Sequence, residues 1–424
     1  MNGKKQTYSW ILYDWANSAY ATTIMAGFFP IFFKEFWNSG INVTESTFRL
    51  GAANSLASVI VVLLAPILGA IADRGGMKKK FLLFFASMGI VMTGALYLVE
   101  RGEWAAAFAL YIFATLGFMG GNVFYDALIV SVAQESKRDV VSALGYAYGY
   151  LGGGILFAVN VAMTLWPSLF GLAGAGQAVR VSFVMVAIWW ALFSIPIFLF
   201  VKEPKMDNRE LNVNVVSSGF KQLLATFREL RKLRIVFTFL IGYWLYIDGL
   251  DTIVRMAVDY GMSLGFASNS LIVALLITQF VGFPAAVLFG KIGEKWGAKT
   301  GILVGLAVYI GVTIWAYQLE QVWEFYLLAI VVGLVQGGVQ SLSRSFYSII
   351  IPPNKAAEFF GFYNMLGKFA AVIGPVMIGS VGVLTNNPRL AILSVVVLFI
   401  AGAIILYSVD GEQGRRMARE LAKI

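Results

Sequence analysis

The sequence predicts an all-α polytopic membrane protein, with twelve transmembrane helices in two pseudo-symmetric six-helix bundles. Composition, the spacing of apolar runs and a loop motif that occurs twice all point there. Of 424 residues, 59% are hydrophobic and 13% charged, with a mean hydropathy of +0.77. Soluble domains average about 45–50% apolar and about 25% charged residues, so a globule could not hide this excess. A span takes ~20 residues, or ~25 when tilted; twelve consume roughly 300 and leave little for a separate soluble domain.

The first span is expected near 9–34, directly after Lys4 and Lys5. No small-residue cleavage site follows a short apolar core, so the segment reads as a span and not as a removed signal peptide. Further spans follow near 47–72, 80–99, 104–134, 140–165 and 179–201, then 235–262, 268–290, 299–319, 322–351, 356–385 and 389–409. Residues 1–201 thus form the N-terminal bundle, 202–234 a cytoplasmic linker, and 235–424 the C-terminal bundle with a short tail. Within the linker, Phe220, Leu223, Leu224, Phe227 and Leu230 share one helical face beside Lys221, Arg228, Arg231 and Lys232. That pattern suits an interfacial amphipathic helix on an anionic leaflet, or a plain connector.

Positive charge sets the orientation. With the N-terminus inside, inner segments hold 24 of the 32 Lys and Arg, outer segments five, and the spans themselves three. Both termini are therefore expected in the cytoplasm. The net charge of +9 follows from the same asymmetry and does not call for nucleic acid.

Several chemistries drop out. Cysteine and histidine are absent, which removes disulfides, iron–sulfur clusters, thiolate nucleophiles and the commonest metal ligand and proton relay. No GxxxxGK[ST] phosphate loop occurs. The chain is expected to be no enzyme and to need no cofactor or metal.

The loop after span two reads Gly69-Ala-Ile-Ala-Asp73-Arg74-Gly75-Gly76-Met77-Lys78, and that after span eight Gly290-Lys-Ile-Gly-Glu294-Lys295-Trp296-Gly297-Ala298-Lys299. A shift of 221 aligns Gly69 with Gly290, Asp73 with Glu294, Arg74 with Lys295 and Lys78 with Lys299. Matched acid–base loops in two six-span halves indicate parallel repeats. The motif resembles the loop signature of the major facilitator superfamily. Tyr13-Asp-Trp-Ala-Asn-Ser-Ala-Tyr20, Ser142-Ala-Leu-Gly-Tyr-Ala-Tyr-Gly-Tyr-Leu-Gly-Gly153, Tyr246-Ile-Asp-Gly-Leu-Asp-Thr252, Ser341-Leu-Ser-Arg-Ser345 and Glu358-Phe-Phe-Gly-Phe-Tyr363 narrow it further. They are similar to the branch of the yeast autophagy-linked vacuolar amino-acid effluxer and its bacterial relatives. The resemblance implies a solute carrier whose spans one, four, seven and ten line a central cavity.

An ionisable group within a span costs at least ~2.5–3.5 kcal/mol on insertion scales, so each one needs a reason. Asp14, Asp126, Asp248, Asp251, Arg255, Asp259 and Arg344 all fall on those four spans, and Lys368 falls on span eleven. At 100° per residue, Asp248, Asp251, Arg255 and Asp259 lie at about 0°, 300°, 340° and 20°, one stripe. The stripe is either an intrahelical ion-pair ladder or part of a binding cavity. Gln336, Gln340, Ser343, Arg344 and Tyr347 share an arc of span ten, where Arg344 can fork onto a solute carboxylate or pair with Glu294. Asp126 lies at a similar depth and can meet Arg74. Asp14 and Asn17 share a face of span one, suited to gating or to solute contact. Lys368 lies too deep to snorkel easily and is expected to face a cavity or a carboxylate. Asp73, Arg74, Lys78, Asp126, Glu294, Lys295 and Lys299 form a cytoplasmic latch, the role the resemblance implies. Gly145, Gly149, Gly152 and Gly153 read as a close-packing face. Trp10, Trp15, Trp37, Trp104 and Trp166 read as an aromatic belt.

The expected function is secondary active transport by alternating access of a small polar or zwitterionic solute, amino-acid-like and proton-coupled. Asp248 is favoured as the proton carrier, because Asp251 has Arg255 at i+4. The alternative is export of cationic or amphipathic compounds, since embedded acids outnumber bases. Expected partners are the solute, protons or another coupling ion, and the lipid bilayer, with no nucleic acid. A monomer is expected, in the cell (inner) membrane in preference to a vacuolar one.

Overall fold

A computed structural model describes residues 2–37, 43–203, 233–266, 268–369 and 373–422. Among them the backbone is helical, and no strand occurs. Helix α1 (Asn2–Ala19) continues as a π-helical stretch over Tyr20–Phe28, one α turn at Phe29–Phe32 and a second π segment to Trp37. Wide turns of this kind are rare and gather at functional sites. Next come α2 (Val43–Gly75), α3 (Lys78–Ala95), α4 (Trp104–Ala127), α5 (Arg138–Leu165) and α6 (Ala175–Phe200). The later part holds α7 (Arg234–Ser263), α8 (Ser268–Trp296), α9 (Ala298–Tyr317), α10 (Val322–Ile350) and α11 (Ala356–Phe369). It ends with α12 (Ile373–Thr385), α13 (Pro388–Ser394), α14 (Val396–Ser408) and α15 (Gly411–Leu421).

Nine described segments are long and apolar enough to cross a membrane. The first, second and eleventh expected spans are not among them. Span one opens on the polar run Asn2-Gly-Lys-Lys-Gln-Thr7. Span eleven is described over Ala356–Phe369 and Ile373–Thr385, both helical, and residues 370–372 lie outside the described residues. The linker's expected amphipathic helix lies outside the described residues. An unforeseen helix, α15, follows α14, with the Asp410 carboxylate capping the Glu412 and Gln413 N–H groups at 3.0 Å.

Glycine sets the helix spacing, as expected where lipid offers no hydrophobic drive for helices to associate. A Cβ on Gly145, Gly149, Gly152 or Gly153 would strike Asp14, Ser18, Trp15 and Thr22 respectively, so α5 lies directly on α1. A Cβ on Gly117 would strike the Gly89 backbone, joining α4 to α3. One end of the bundle carries the α2–α3 and α8–α9 turns together with α15; we call it the basic end. There the earlier helices meet the later ones. A Cβ on Gly69 would overlap Ala357, one on Gly361 would meet Ala65 and Pro66, and one on Gly290 would reach Ala143.

The tryptophans divide differently from the expectation. Trp10 and Trp37 are wholly buried: Trp10 stacks on Tyr125 at 4.4 Å and donates to its carbonyl, and Trp37 donates to the Val99 carbonyl. Trp15 stacks on Trp189 at 5.4 Å. Nearness to a span end could not distinguish an inward ring from a belt ring. Trp166 is 56% exposed.

Candidate functional site

Arg344 projects from α10 into the middle of the protein and is 2% exposed. Its Nε donates to Ser142 Oγ at 2.9 Å and Nη2 to the Ser142 carbonyl at 2.9 Å. Nη1 reaches Asp126 Oδ1 at 3.1 Å, and both terminal nitrogens reach Asp14 Oδ2 at 3.3 Å. The guanidinium also lies over the rings of Tyr146 at 4.4 Å, Trp10 at 4.8 Å and Tyr125 at 5.5 Å. Tyr125 donates to Asp14 at 2.7 Å, and Asn364 to Asp126 at 3.1 Å. One cation thus ties α1, α4, α5 and α10 together, with α11 one bond further on. Arginine suits the place because it stays charged and offers five donors in a planar fork. Removing one partner of such a buried group typically costs about 3–5 kcal/mol.

This cluster borders a cavity of about 360 Å³, lined in part by Asp14, Asn17, Asp251, Gln336, Gln340 and Arg344. Asn17 donates to Asn122 at 2.7 Å, and Tyr150 leans on Gln340 at 3.4 Å. The buried Gln336 Oε1 has no hydrogen-bond partner among the described residues. Gln336 and Val254 also border an apolar pocket of about 90 Å³ between α7, α8, α9 and α10. The cavity therefore offers both charge signs, several amides and an apolar recess.

Asp248 does not line this cavity. Wholly buried, it accepts from the Ile373 N–H at 3.1 Å, the Gly374 N–H at 3.1 Å and Thr252 Oγ1 at 3.3 Å. Asp251, 60° round the same helix, takes the cavity position. The side chains of Arg74, Arg255, Asp259 and Lys368 lie outside the described residues.

At the basic end, the Asp73 carboxylate holds Lys78 Nζ at 2.8 Å and accepts from the Glu358 N–H, the start of α11, at 2.8 Å. Its repeat mate Glu294 pairs with Lys137 instead. One sequence expectation is corrected here: Arg344 meets Asp14 and Asp126, not Glu294. The rotation of α10 decides this by aiming residue 344 at α1 and α4, which depth along the helix does not reveal. Asp126 meets Arg344 and Asn364, while the Arg74 side chain lies outside the described residues. Lys299 donates to the Tyr407 and Val409 carbonyls at 2.7 and 2.8 Å, and Lys295 lies over the Trp296 ring. Both bases stay within the later helices and do not reach across.

Sequence reasoning missed the α4–α5 connection. Arg138 donates to the Ser348 carbonyl at 2.7 Å, Ser345 hydrogen-bonds Asp139, and Glu135 pairs with Arg415 at 2.8 Å and Arg419 at 3.2 Å. The acid–base run Glu135-Ser-Lys-Arg-Asp139 was the available signal. It was counted only as inner charge.

The family described as "Vacuole effluxer Atg22 like" matches residues 39–138 and 131–419. The chain belongs to this family. It is 38% identical over 98% of its length to an uncharacterised MFS-type transporter, YxiO, of Bacillus subtilis, covering 97% of that protein. It is 24% identical over 92% of its length to autophagy-related protein 22 of Saccharomyces cerevisiae, covering 82% of it. Among solved structures, the human organic anion transporter MFSD10 (TETRAN) superposes with a TM-score of 0.73 at 16% identity. That superposition covers 96% of this chain and all of the other. The outward conformation of FucP gives 0.70 at 11% identity, over 97% and 99%. These likenesses show the major facilitator fold. This Atg22-family protein is an integral, multi-pass membrane transporter of that superfamily.

Proposed function

We propose that the protein moves a small zwitterionic, amino-acid-like solute by proton-coupled alternating access between its two halves, in the direction of efflux. One observation carries the reading: Arg344, the described base of the cavity, is shared between two carboxylates at unequal reach. Asp126 is held at 3.1 Å, while Asp14 spans both terminal nitrogens at 3.3 Å and is also bound by Tyr125. A solute carboxylate can replace Asp14 on the fork without stranding Arg344. A proton on Asp14 cancels its charge and weakens its claim on Arg344, so proton and solute carboxylate arrive together. Asp251 and the cavity tyrosines suit the ammonium, and the recess beside Gln336 suits an apolar side chain. The family's description as a vacuole effluxer supports the direction.

In this reading the basic end faces the cytoplasm, and Asp73, Lys78, Asp126 and Glu294 help to hold it shut. The charge count along the loops supports that orientation. Asp14 replaces Asp248 as carrier, because Asp14 touches the cavity and Asp248 is occupied at α12.

A second reading, export of cationic amphipathic compounds, is favoured by the cavity's described acids: Asp14, Asp126 and Asp251 outnumber Arg344. A thermal-shift screen of purified protein separates the two. A ligand at a hundred times its Kd stabilises the native state by about 2.7 kcal/mol. Shifts with L-amino acids that vanish in Arg344→Lys support the zwitterion. Shifts with tetraphenylphosphonium and none with amino acids overturn it.

A further inference from the structure

The second copy of the loop motif does not close the basic end in the way the first does. In the first, the Asp73 carboxylate reaches the Glu358 N–H of the other half directly. In the second, Glu294 takes Lys137, and the companion base Lys299 turns instead to the end of α14. The last carbonyls of a helix have no partner within it. Lys299 supplies one to Tyr407 and Val409, and so fixes the direction in which the chain leaves α14. What leaves in that direction is α15.

Small residues hold α15 to the later half. A Cβ on Gly411 would stand 3.0 Å from the Phe346 ring, and one on Gly414 would stand 2.9 Å from Ile350 and 3.0 Å from Ile235. Ala418, on the same face, is buried. The helix therefore moves with α7 and α10. Its contact with the earlier half is of another kind. Arg415 and Arg419, one turn apart, both close on the Glu135 carboxylate, at 2.8 and 3.2 Å. Glu135 belongs to the α4–α5 connection. Between that connection, the α8–α9 turn and α15 lies a space of about 600 Å³, whose walls include Glu135, Asp139, Glu294 and Arg415. Charged side chains bridge it. Exposed ion pairs are individually weak, so a contact built from them can part and re-form in every cycle.

We propose that α15 is a strap. It rides on the later half, clasps Glu135 through Arg415 and Arg419 while the basic end is closed, and lets go when that end opens. It holds shut the side of the gate served by the second motif copy, as Asp73 holds the side served by the first. The proposal rests on reading the basic end as a gate, so Asp73→Asn serves as the control.

The test needs no solute. The chain has no cysteine, and Ala21→Cys places a single thiol on the cavity wall. In vesicles that expose the basic end, the rate of labelling by a charged maleimide is measured. Glu135→Lys, which loses both pairs and repels both arginines, should label about fivefold faster than the parent. Adding Arg415→Gln and Arg419→Glu recreates one pair with its charges exchanged, and should return the rate to within about twofold of the parent. Glutamine at 415 avoids setting a second acid beside Glu412, which Arg415 also contacts at 2.8 Å. A residue that only shapes the surface would not be rescued by exchanging charges. If Glu135→Lys does not fold, Arg415→Ala with Arg419→Ala is the second variant, and the same acceleration is expected. The proposal is overturned if the folded variant labels at the parent rate, or if the exchanged protein stays as fast as Glu135→Lys. Acceleration by Asp73→Asn without acceleration by Glu135→Lys sinks the strap and leaves the gate standing. No change in either sinks both.

Discussion

Replacing Asp73 with asparagine loosens the basic end by an amount that follows from its contacts. The carboxylate forms an ion pair with Lys78 at 2.8 Å and accepts from the Glu358 N–H at 2.8 Å, with the Ala357 N–H beside it. Asp73 and Lys78 sit on neighbouring helices of the same half, so their pair survives whether the gate is open or closed. Only its contacts with the backbone at Ala357 and Glu358 cross between halves, and the Glu358 bond is the close one. Asparagine keeps an oxygen there but loses the charge. A charge-assisted bond is roughly twice as strong as a neutral one, which puts the loss at about 1 kcal/mol. A shift of that size moves the closed-to-open population about fivefold towards open. Losing the Lys78 pair lowers overall stability without biasing the two states. The assay is maleimide labelling of Ala21→Cys in vesicles that expose the basic end. Asp73→Asn should label about five times faster. An unchanged or slower rate, in protein that unfolds at a lower temperature, would refute the assignment of the Glu358 bond to the gate.

Three further outcomes follow from the same contacts. Glu294→Gln should accelerate that labelling by no more than about fivefold and by less than Asp73→Asn does, because its pair with Lys137 is exposed and surface pairs contribute about 0–1 kcal/mol. Gly69→Ala should accelerate labelling at least as much as Asp73→Asn, since its methyl would overlap the Ala357 carbonyl and crowd the Glu358 Cα at 2.9 Å across the gate. Ser168→Cys, exposed on the turn between α5 and α6, should label only from the face opposite the basic end, and impermeant reagent acting from the other face contradicts the orientation.

Much of the fold was legible because apolar runs set span lengths directly. The expected spans 104–134, 140–165 and 299–319 correspond to Trp104–Val132, Arg138–Leu165 and Ala298–Tyr317. The contact of Asp248 with the Ile373 and Gly374 N–H groups was not legible, because it joins residues some 125 positions apart. Asp248 and Asp251 illustrate the limit of helical-wheel reasoning. A 60° separation counts as one stripe, yet it is enough to turn one carboxylate to a neighbouring helix and the other to the cavity. The set of charged residues in the site was legible from the cost of burying them, which brought Asp14, Asp126 and Arg344 to notice. Their pairing was not, since it depends on how α1, α4 and α10 are rotated. Ser142, whose hydroxyl and carbonyl both serve Arg344, carried no signal beyond its place in a glycine-rich stretch.

The central claim is that proton and solute meet at Arg344 through Asp14. Purified protein in liposomes with an imposed pH gradient, supplied with a labelled mixture of L-amino acids, tests it most directly. The account predicts accumulation beyond equilibration that collapses with a protonophore. In Asp14→Asn that accumulation should be lost, with exchange of amino acids across the membrane retained. Accumulation by Asp14→Asn equal to the parent, or transport of tetraphenylphosphonium with no amino acid moved by either protein, would contradict it.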